Sequence, residues 1–420
     1  MSRLWTNNLT IGFRPPQPRD IDGEMSTAAA TSSAPPGGFA ALLERFDPGV
    51  IDLPGGRARI RLEIAGGEAW DALIEGRQAR LHPAPDAYEP DALLRADAAT
   101  WDRIAADLPA GMQAFRTGRL QVRNSLHVGV GFLAATSGVT GPGRLTFETL
   151  RTRHAGGVSI LSAGVGPETI VCVHGLGGTK ASFLPTVAAL ADAYRVVALD
   201  LPGFGESDKP IGAPYDAPWF ARAVFDAMDT LGLERAHIAG NSMGGRVAIE
   251  AGLLDRDRVS RLVLLSPALA WLRERRWAPV VRALRPELGL LQLAPRPVVE
   301  GVLRRLFPGA SDGWAAVGVD EFLRSYLTPR GRAAFYAAAR NIYLDEPHGE
   351  QGFWTRLAEL SPDALFVWGR HDTLVPIAFM NHVERSLPHA RHVELACGHV
   401  PQLERPRETH AAMRDFLREA

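Results

Sequence analysis

The chain predicts an α/β fold: a mainly parallel sheet covered by helices on both faces, interrupted by a helical lid and preceded by a small α+β unit. Three observations carry that prediction. From Leu145 onward, short apolar runs alternate with helix-like stretches, the pattern of strands buried between crossover helices. Between Pro267 and about Glu350 the alternation stops, leaving only helix-like segments rich in Leu, Trp, Ala and Arg. Upstream, from about 39 to 137, one run alternates at period two and short strands and helices follow it between turn residues, as in a half-buried sheet.

Bulk properties bound the function. At 420 residues the chain is long enough for two or three domains, and 46% apolar content supplies sizeable cores. The net charge of −1 leaves no global field to attract nucleic acid. Lys180 and Lys209 are the only lysines. Cys172 and Cys397 are the only cysteines, too few for a disulfide framework and suited to a reducing compartment. The start lacks a basic segment followed by an apolar run, and no run of 18 apolar residues occurs. A cytoplasmic protein is expected.

Taken in order, residues 1–38 read as a flexible leader ending in a Ser/Pro/Gly cluster. Residues 39–137 form the front unit. Phe39 to Phe46 is a short amphipathic helix, and Arg57 to Ile64 a strand. Glu68 to Ile74, Gln78 to Leu81 and Ala92 to Ala96 continue as strands, and Ala99 to Ala106 is a helix. Gln113 to Val122 leads into an apolar segment, Leu126 to Ala135. Residues 138–144 are a Gly-rich linker. In the unit 145–420, strands are expected at Val158–Leu161, Thr169–Val173, Arg195–Leu199, Ala236–Ala239, Arg261–Leu265, Ala364–Trp368 and His392–Leu395, with the lid at about 268–350.

The front unit resembles the sterol carrier protein family. The resemblance rests on Trp70 in the second strand, the helix start Ala99-Thr100-Trp101, and the segment Ala114 to Leu120. It implies a site for a lipid ligand between sheet and helices. Asn124 stands where that family usually has glycine; asparagine also tolerates a left-handed backbone. A packing domain that binds nothing is the alternative.

The chemistry centres on Gly240-Asn241-Ser242-Met243-Gly244. A G-x-S-x-G between a buried strand and a helix is the pattern of a nucleophile elbow, which needs glycines where the backbone is strained and crowded. Four further segments converge on it. Val171 to Gly178 ends a strand in a Gly-rich turn, so the N–H groups of Leu176 and Met243 are candidates for an oxyanion hole. His174 beside it reads as structural. Asp200 to Ser207 is a tight turn in which Asp200 accepts local N–H bonds. Asp372 follows a late strand and is the candidate acid; capping the next helix is its other role. His399 lies on a Gly/Pro-flanked loop after the last strand and is the candidate general base.

With these motifs in that order, residues 145–420 resemble the α/β-hydrolase superfamily. The resemblance implies Ser242 as nucleophile, His399 as base and then acid, and Asp372 as its orienting partner, with no metal or organic cofactor. Serine at the elbow favours acyl transfer, so the first expectation is hydrolysis of a lipid-like or other apolar carboxylic ester through an acyl-enzyme. The Asn-Ser-Met-Gly-Gly form also occurs in relatives that cleave carbon–carbon bonds of ring-fission products. Those usually have Trp after the histidine, where this chain has Val400. A third expectation is a lipid-binding or transfer protein on a hydrolase scaffold. The lid carries Arg273, Arg275, Arg276, Arg282, Arg285 and Arg296 among many leucines. That composition fits peripheral contact with an anionic lipid surface, or a solvated cap.

Overall fold

The computed structural model describes residues 35–53, 55–84, 88–106, 110–270, 276, 278–291, 295–306 and 313–419. Most of the expected leader lies outside the described residues. Pro35–Ala420 forms one compact unit.

The front sheet contains β1 (Arg57–Ile64), β2 (Ala69–Glu75), β3 (Gln78–Pro83), β4 (Ala92–Ala96) and β5 (Gln121–Arg123), in the order β3-β2-β1-β4-β5. The period-two pattern of β1 sends Ala58, Ile60 and Leu62 into the core. Arg59 and Arg61 both ion-pair at 2.8 Å with the buried Asp71 of β2. The apolar segment after β5 is a helix, Leu126–Ala135, started by Ser125, whose hydroxyl accepts the Val128 N–H. Asn124 has φ +70°, so the glycine-like position keeps its left-handed backbone.

The larger sheet contains β6 (Thr146–Arg151), β7 (Gly157–Ala163), β8 (Thr169–Val173), β9 (Arg195–Leu199), β10 (Ala236–Asn241), β11 (Val259–Leu265), β12 (Asp363–Gly369) and β13 (Arg391–Leu395). Their order is β13-β12-β11-β10-β8-β9-β7-β6. Only the β6–β7 and β7–β9 pairs are antiparallel. Every expected strand is present within two residues. Two strands were not anticipated: the three-residue β5 of the front sheet, and β6, whose burial alternates only in part, with Phe147 and Leu150 inward, because it sits at the sheet edge.

Among the described residues from 268 to 350 there are helices and no strands. The two sheet faces carry separate cores. One is formed with the helices Ala217–Thr230 and Met243–Leu254. The other runs without a break from the front unit (Phe39, Trp101, Phe132) to the opposite face of the large sheet (Phe147, Phe183, Val196, Leu265). Burial of such aromatic and aliphatic side chains contributes roughly 1.5–3 kcal/mol each. No helix of the described residues is long and apolar enough to cross a membrane.

Candidate active site

β8, β10, β11, β12 and β13 run parallel, so the loops at their C-terminal ends share one edge. Ser242 follows β10 and precedes the helix Met243–Leu254 with φ +53° and ψ −116°. That strained geometry for a serine is enforced by its neighbours. A Cβ on Gly244 would lie 2.0 Å from the Val173 carbonyl oxygen, and one on Gly240 2.2 Å from that of Gly244. The Ser242 N–H donates to the Leu265 carbonyl at 3.0 Å, and its carbonyl accepts the Ala268 N–H at 2.8 Å.

Asp372 and His399 arrive on the loops after β12 and β13. His399 Nδ1 and Asp372 Oδ2 are 2.7 Å apart. The other Asp372 oxygen accepts the N–H groups of Leu374 and Val375 at 2.8 and 2.9 Å. One oxygen therefore orients His399 and the other fixes the loop that carries Asp372; the expected capping of the next helix is not made, since Ile377–Phe379 has Pro376 at its N-cap and no side-chain cap. A protonated His399 Nδ1 donating to Asp372 leaves Nε2 as the basic nitrogen. The Asn241 amide donates to the Leu265 carbonyl at 2.9 Å and to the His399 carbonyl at 3.1 Å, which joins the histidine loop to the residue preceding Ser242.

The turn after β8 closes with a Gly178 N–H to Gly175 carbonyl bond of 3.0 Å, with Gly177 at φ +74°. That is the type II pattern, and it does not use the Leu176 N–H. A Cβ on Gly175 would be 3.2 Å from the Ser242 Cβ, so the turn lies against the elbow. The N–H of Met243 opens the elbow helix, where no intrahelical acceptor exists.

His174 bonds the Gly175 carbonyl through Nδ1 at 2.7 Å and accepts the Leu201 N–H at Nε2 at 2.9 Å. Burial holds it neutral by lowering its pKa, so it ties two loops together. Asp200 accepts the backbone N–H groups of Lys180 (2.7 Å) and Glu206 (2.9 Å), as a turn-fixing residue does. It also pairs with the buried Lys180 ammonium at 2.6 Å. Burial opposes its charge, but Lys180 more than offsets this, and its pKa falls to about 2. His371 is exposed. Cys172 and Cys397 are buried and unbridged, and burial raises both thiol pKa values, that of Cys397 to about 11.

Three residues were not anticipated. Tyr343, at the end of the lid helix Pro329–Tyr343, places its hydroxyl 3.4 Å from Ser242 Oγ. Burial raises its pKa to about 12. Asp345, two residues on, pairs with the buried Arg246 of the elbow helix and fixes that end of the lid. Glu404 binds the backbone around His399; its H-x-x-x-x-E spacing on the loop is the one signal that could have found it. Nothing in the sequence marks Tyr343. Of the expected arginine-rich lid face, Arg273 and Arg275 lie outside the described residues, whereas Arg282, Arg285 and Arg296 are exposed. Val280, Leu288, Leu291 and Val298 are exposed between them. Among the described residues, no group of His, Cys, Asp and Glu could hold a metal ion.

Residues 168–406 match the family described as alpha/beta hydrolase fold. The chain is 33% identical over 270 residues to a 2-hydroxy-6-oxononadienedioate/2-hydroxy-6-oxononatrienedioate hydrolase of Paraburkholderia phymatum, covering 60% of this chain and 88% of that protein. It is 30% identical over 271 residues to a 2-hydroxy-6-oxo-6-phenylhexa-2,4-dienoate hydrolase of Comamonas testosteroni, with 60% and 88% covered. Among solved structures, a membrane phospholipase A superposes with a TM-score of 0.53 at 26% identity, over 65% of this chain and 86% of that one.

Proposed function

The chain belongs to the α/β hydrolase family, and we propose that it is a serine hydrolase of the carbon–carbon bond beside a ketone in a hydroxy-oxo-dienoate acid. The relatives named for such substrates are the observation that carries the substrate class. They support placing this reading above the ester hydrolysis first expected from Ser242.

Ser242 attacks the ketone carbon and gives its proton to His399, which Asp372 orients. The carbonyl electron pair moves to oxygen, where the N–H groups of Leu176 and Met243 receive it. A carbon leaving group departs only if its electron pair is delocalised. The dienol supplies this: once its hydroxyl proton has moved to the carbon beside the ketone, the departing pair spreads into the conjugated keto acid as an enolate. His399 then returns its proton to that fragment. Water, activated by the same histidine, releases the acyl group from Ser242 as a carboxylic acid.

Ester hydrolysis is the second reading. Val400, in place of tryptophan after His399, favours it. The same nucleophile, base and oxyanion donors serve an ester, whose alkoxide needs no prior proton shift. The exposed apolar and arginine residues of the lid support contact with an anionic apolar surface. In the front unit, one crevice is lined by Thr100, Arg103, Gln113 and Arg119 together with Ala106, Ala110 and Ala114. Mass spectrometry of the products from 2-hydroxy-6-oxo-6-phenylhexa-2,4-dienoate tests the first reading: benzoate is expected. Intact ketone beside cleaved p-nitrophenyl butyrate would establish the second.

A further inference from the structure

We propose that Glu321, on the helix Gly313–Tyr326, is a positioning residue for the oxyanion turn, and that the front unit holds it in place. The inference rests on the reading of Leu176 as an oxyanion donor. Three consecutive residues of this helix touch three different things. Asp320 accepts Nε and Nη2 of Arg123 at 2.6 and 3.2 Å, and the Asn124 N–H at 3.3 Å. Glu321 divides its carboxylate: Oε1 accepts the Leu126 N–H of the front unit at 2.8 Å, and Oε2 the Thr179 hydroxyl at 3.0 Å. Phe322 packs against the oxyanion turn itself, since a Cβ on Gly177 would come within 2.5 Å of its ring.

Each contact has a physical reason to be strong. Leu126 opens a helix of 10 residues, so its N–H lacks an intrahelical acceptor and sits at the positive end of the dipole. The Glu321 carboxylate satisfies both conditions. Thr179 precedes the short helix Lys180–Phe183, yet its side chain makes no capping bond there; the hydroxyl goes to Glu321 instead. Glu321 and Asp320 are buried, so these charge-assisted bonds are poorly screened. Arg324, one turn on, pairs with Glu321 at 3.3 Å and with Glu206.

The oxyanion turn is therefore anchored just after Gly178 by two carboxylates. Asp200 takes the Lys180 N–H from the sheet side, and Glu321 takes the Thr179 hydroxyl from the lid. The second anchor is itself fixed by the Leu126 N–H, and the neighbouring Asp320 by Arg123 and Asn124. On this account the front unit is part of the catalytic scaffold, acting through a carboxylate on the turn that carries Leu176.

The test measures inactivation of the full-length protein by a fluorophosphonate, whose phosphoryl oxygen occupies the oxyanion position, and separates the limiting rate from the apparent affinity. Thr179→Val and Glu321→Gln should each lower the limiting rate by about tenfold, less than deletion of an oxyanion donor itself, with affinity changed less than twofold. Thr179→Ser should restore the rate, and Arg123→Ala should lower it in the same direction. Thr179→Val perturbs packing little, so it decides the matter if Glu321→Gln fails to fold. A folded Thr179→Val protein labelled within twofold of the wild-type rate overturns the proposal and leaves the nucleophile assignment intact. Failure of the wild-type protein to label at Ser242 overturns both.

Discussion

Glu404 grips the backbone on both sides of His399: Oε2 accepts the Gly398 N–H at 2.6 Å and Oε1 the Val400 N–H at 2.9 Å. With Asn241 on the His399 carbonyl and Asp372 on the ring, the histidine is held at four points. Removing the carboxylate frees the loop without touching the reacting groups. Glu404→Ala should lower kcat by about 10- to 100-fold, the scale of a misplacement near 1 Å, and Glu404→Gln should fall between. Steady-state kinetics beside near-ultraviolet circular dichroism measure this; unchanged kcat would remove Glu404 from the machinery.

Tyr343 makes a different prediction. With its pKa raised to about 12, the phenol stays protonated at working pH and can stabilise negative charge only as a hydrogen-bond donor. Tyr343→Phe should cost about tenfold in kcat, the equivalent of one hydrogen bond of roughly 1.4 kcal/mol. The shape of the pH–rate profile between pH 6 and 9 should not change. A profile that loses a limb in that range would mean the phenol titrates.

The Lys180–Asp200 pair bears on stability. Both side chains are almost wholly buried, so removing one charge strands the other. Lys180→Met should destabilise by about 3–5 kcal/mol in urea unfolding at pH 7, and Lys180→Met with Asp200→Asn should recover part of that. Asp200 has a folded pKa of about 2, below its unfolded value. Its contribution is therefore present above the unfolded pKa and lost as pH falls through about 2.

Acid stability should follow His127 and His410. Burial is the main cause that lowers each to about 4, from 6.5. Below pH 6.5 the unfolded chain takes up protons that the folded chain refuses, so stability falls as pH drops from 6.5 toward 4 and then levels. Each histidine contributes up to about 3 kcal/mol of this loss. His127→Gln should flatten the slope of Tm against pH in that window; an unchanged slope would assign the acid sensitivity elsewhere.

At the elbow, Gly244→Ala should give no folded, active protein, because its methyl would meet the Val173 carbonyl oxygen at 2.0 Å. A soluble Gly244→Ala variant with normal labelling at Ser242 would contradict the backbone geometry described above.

The sequence made legible what local patterns encode. Buried strands such as Thr169–Val173 and Arg195–Leu199 are continuous apolar runs with clear breaks, and the chain order of Ser242, Asp372 and His399 follows from their loops. The edge strand β6 escaped because its alternation is incomplete. Tyr343 and Glu321 escaped for another reason. Their roles come from the lid folding back over distant loops, contacts across 101 and 142 residues that no local pattern specifies. Asp200 is legible as a turn residue, but its buried partner Lys180 is not, since an isolated lysine in sequence resembles a surface one.

The proposed cleavage of a carbon–carbon bond by Ser242 has a visible readout. The most direct measurement follows the visible absorbance of 2-hydroxy-6-oxo-6-phenylhexa-2,4-dienoate mixed with the wild-type protein and with Ser242→Ala. Decay of the dienol chromophore is expected with the wild type, and loss of that turnover in Ser242→Ala. A chromophore that persists with a wild-type protein able to hydrolyse p-nitrophenyl butyrate would contradict the proposed cleavage.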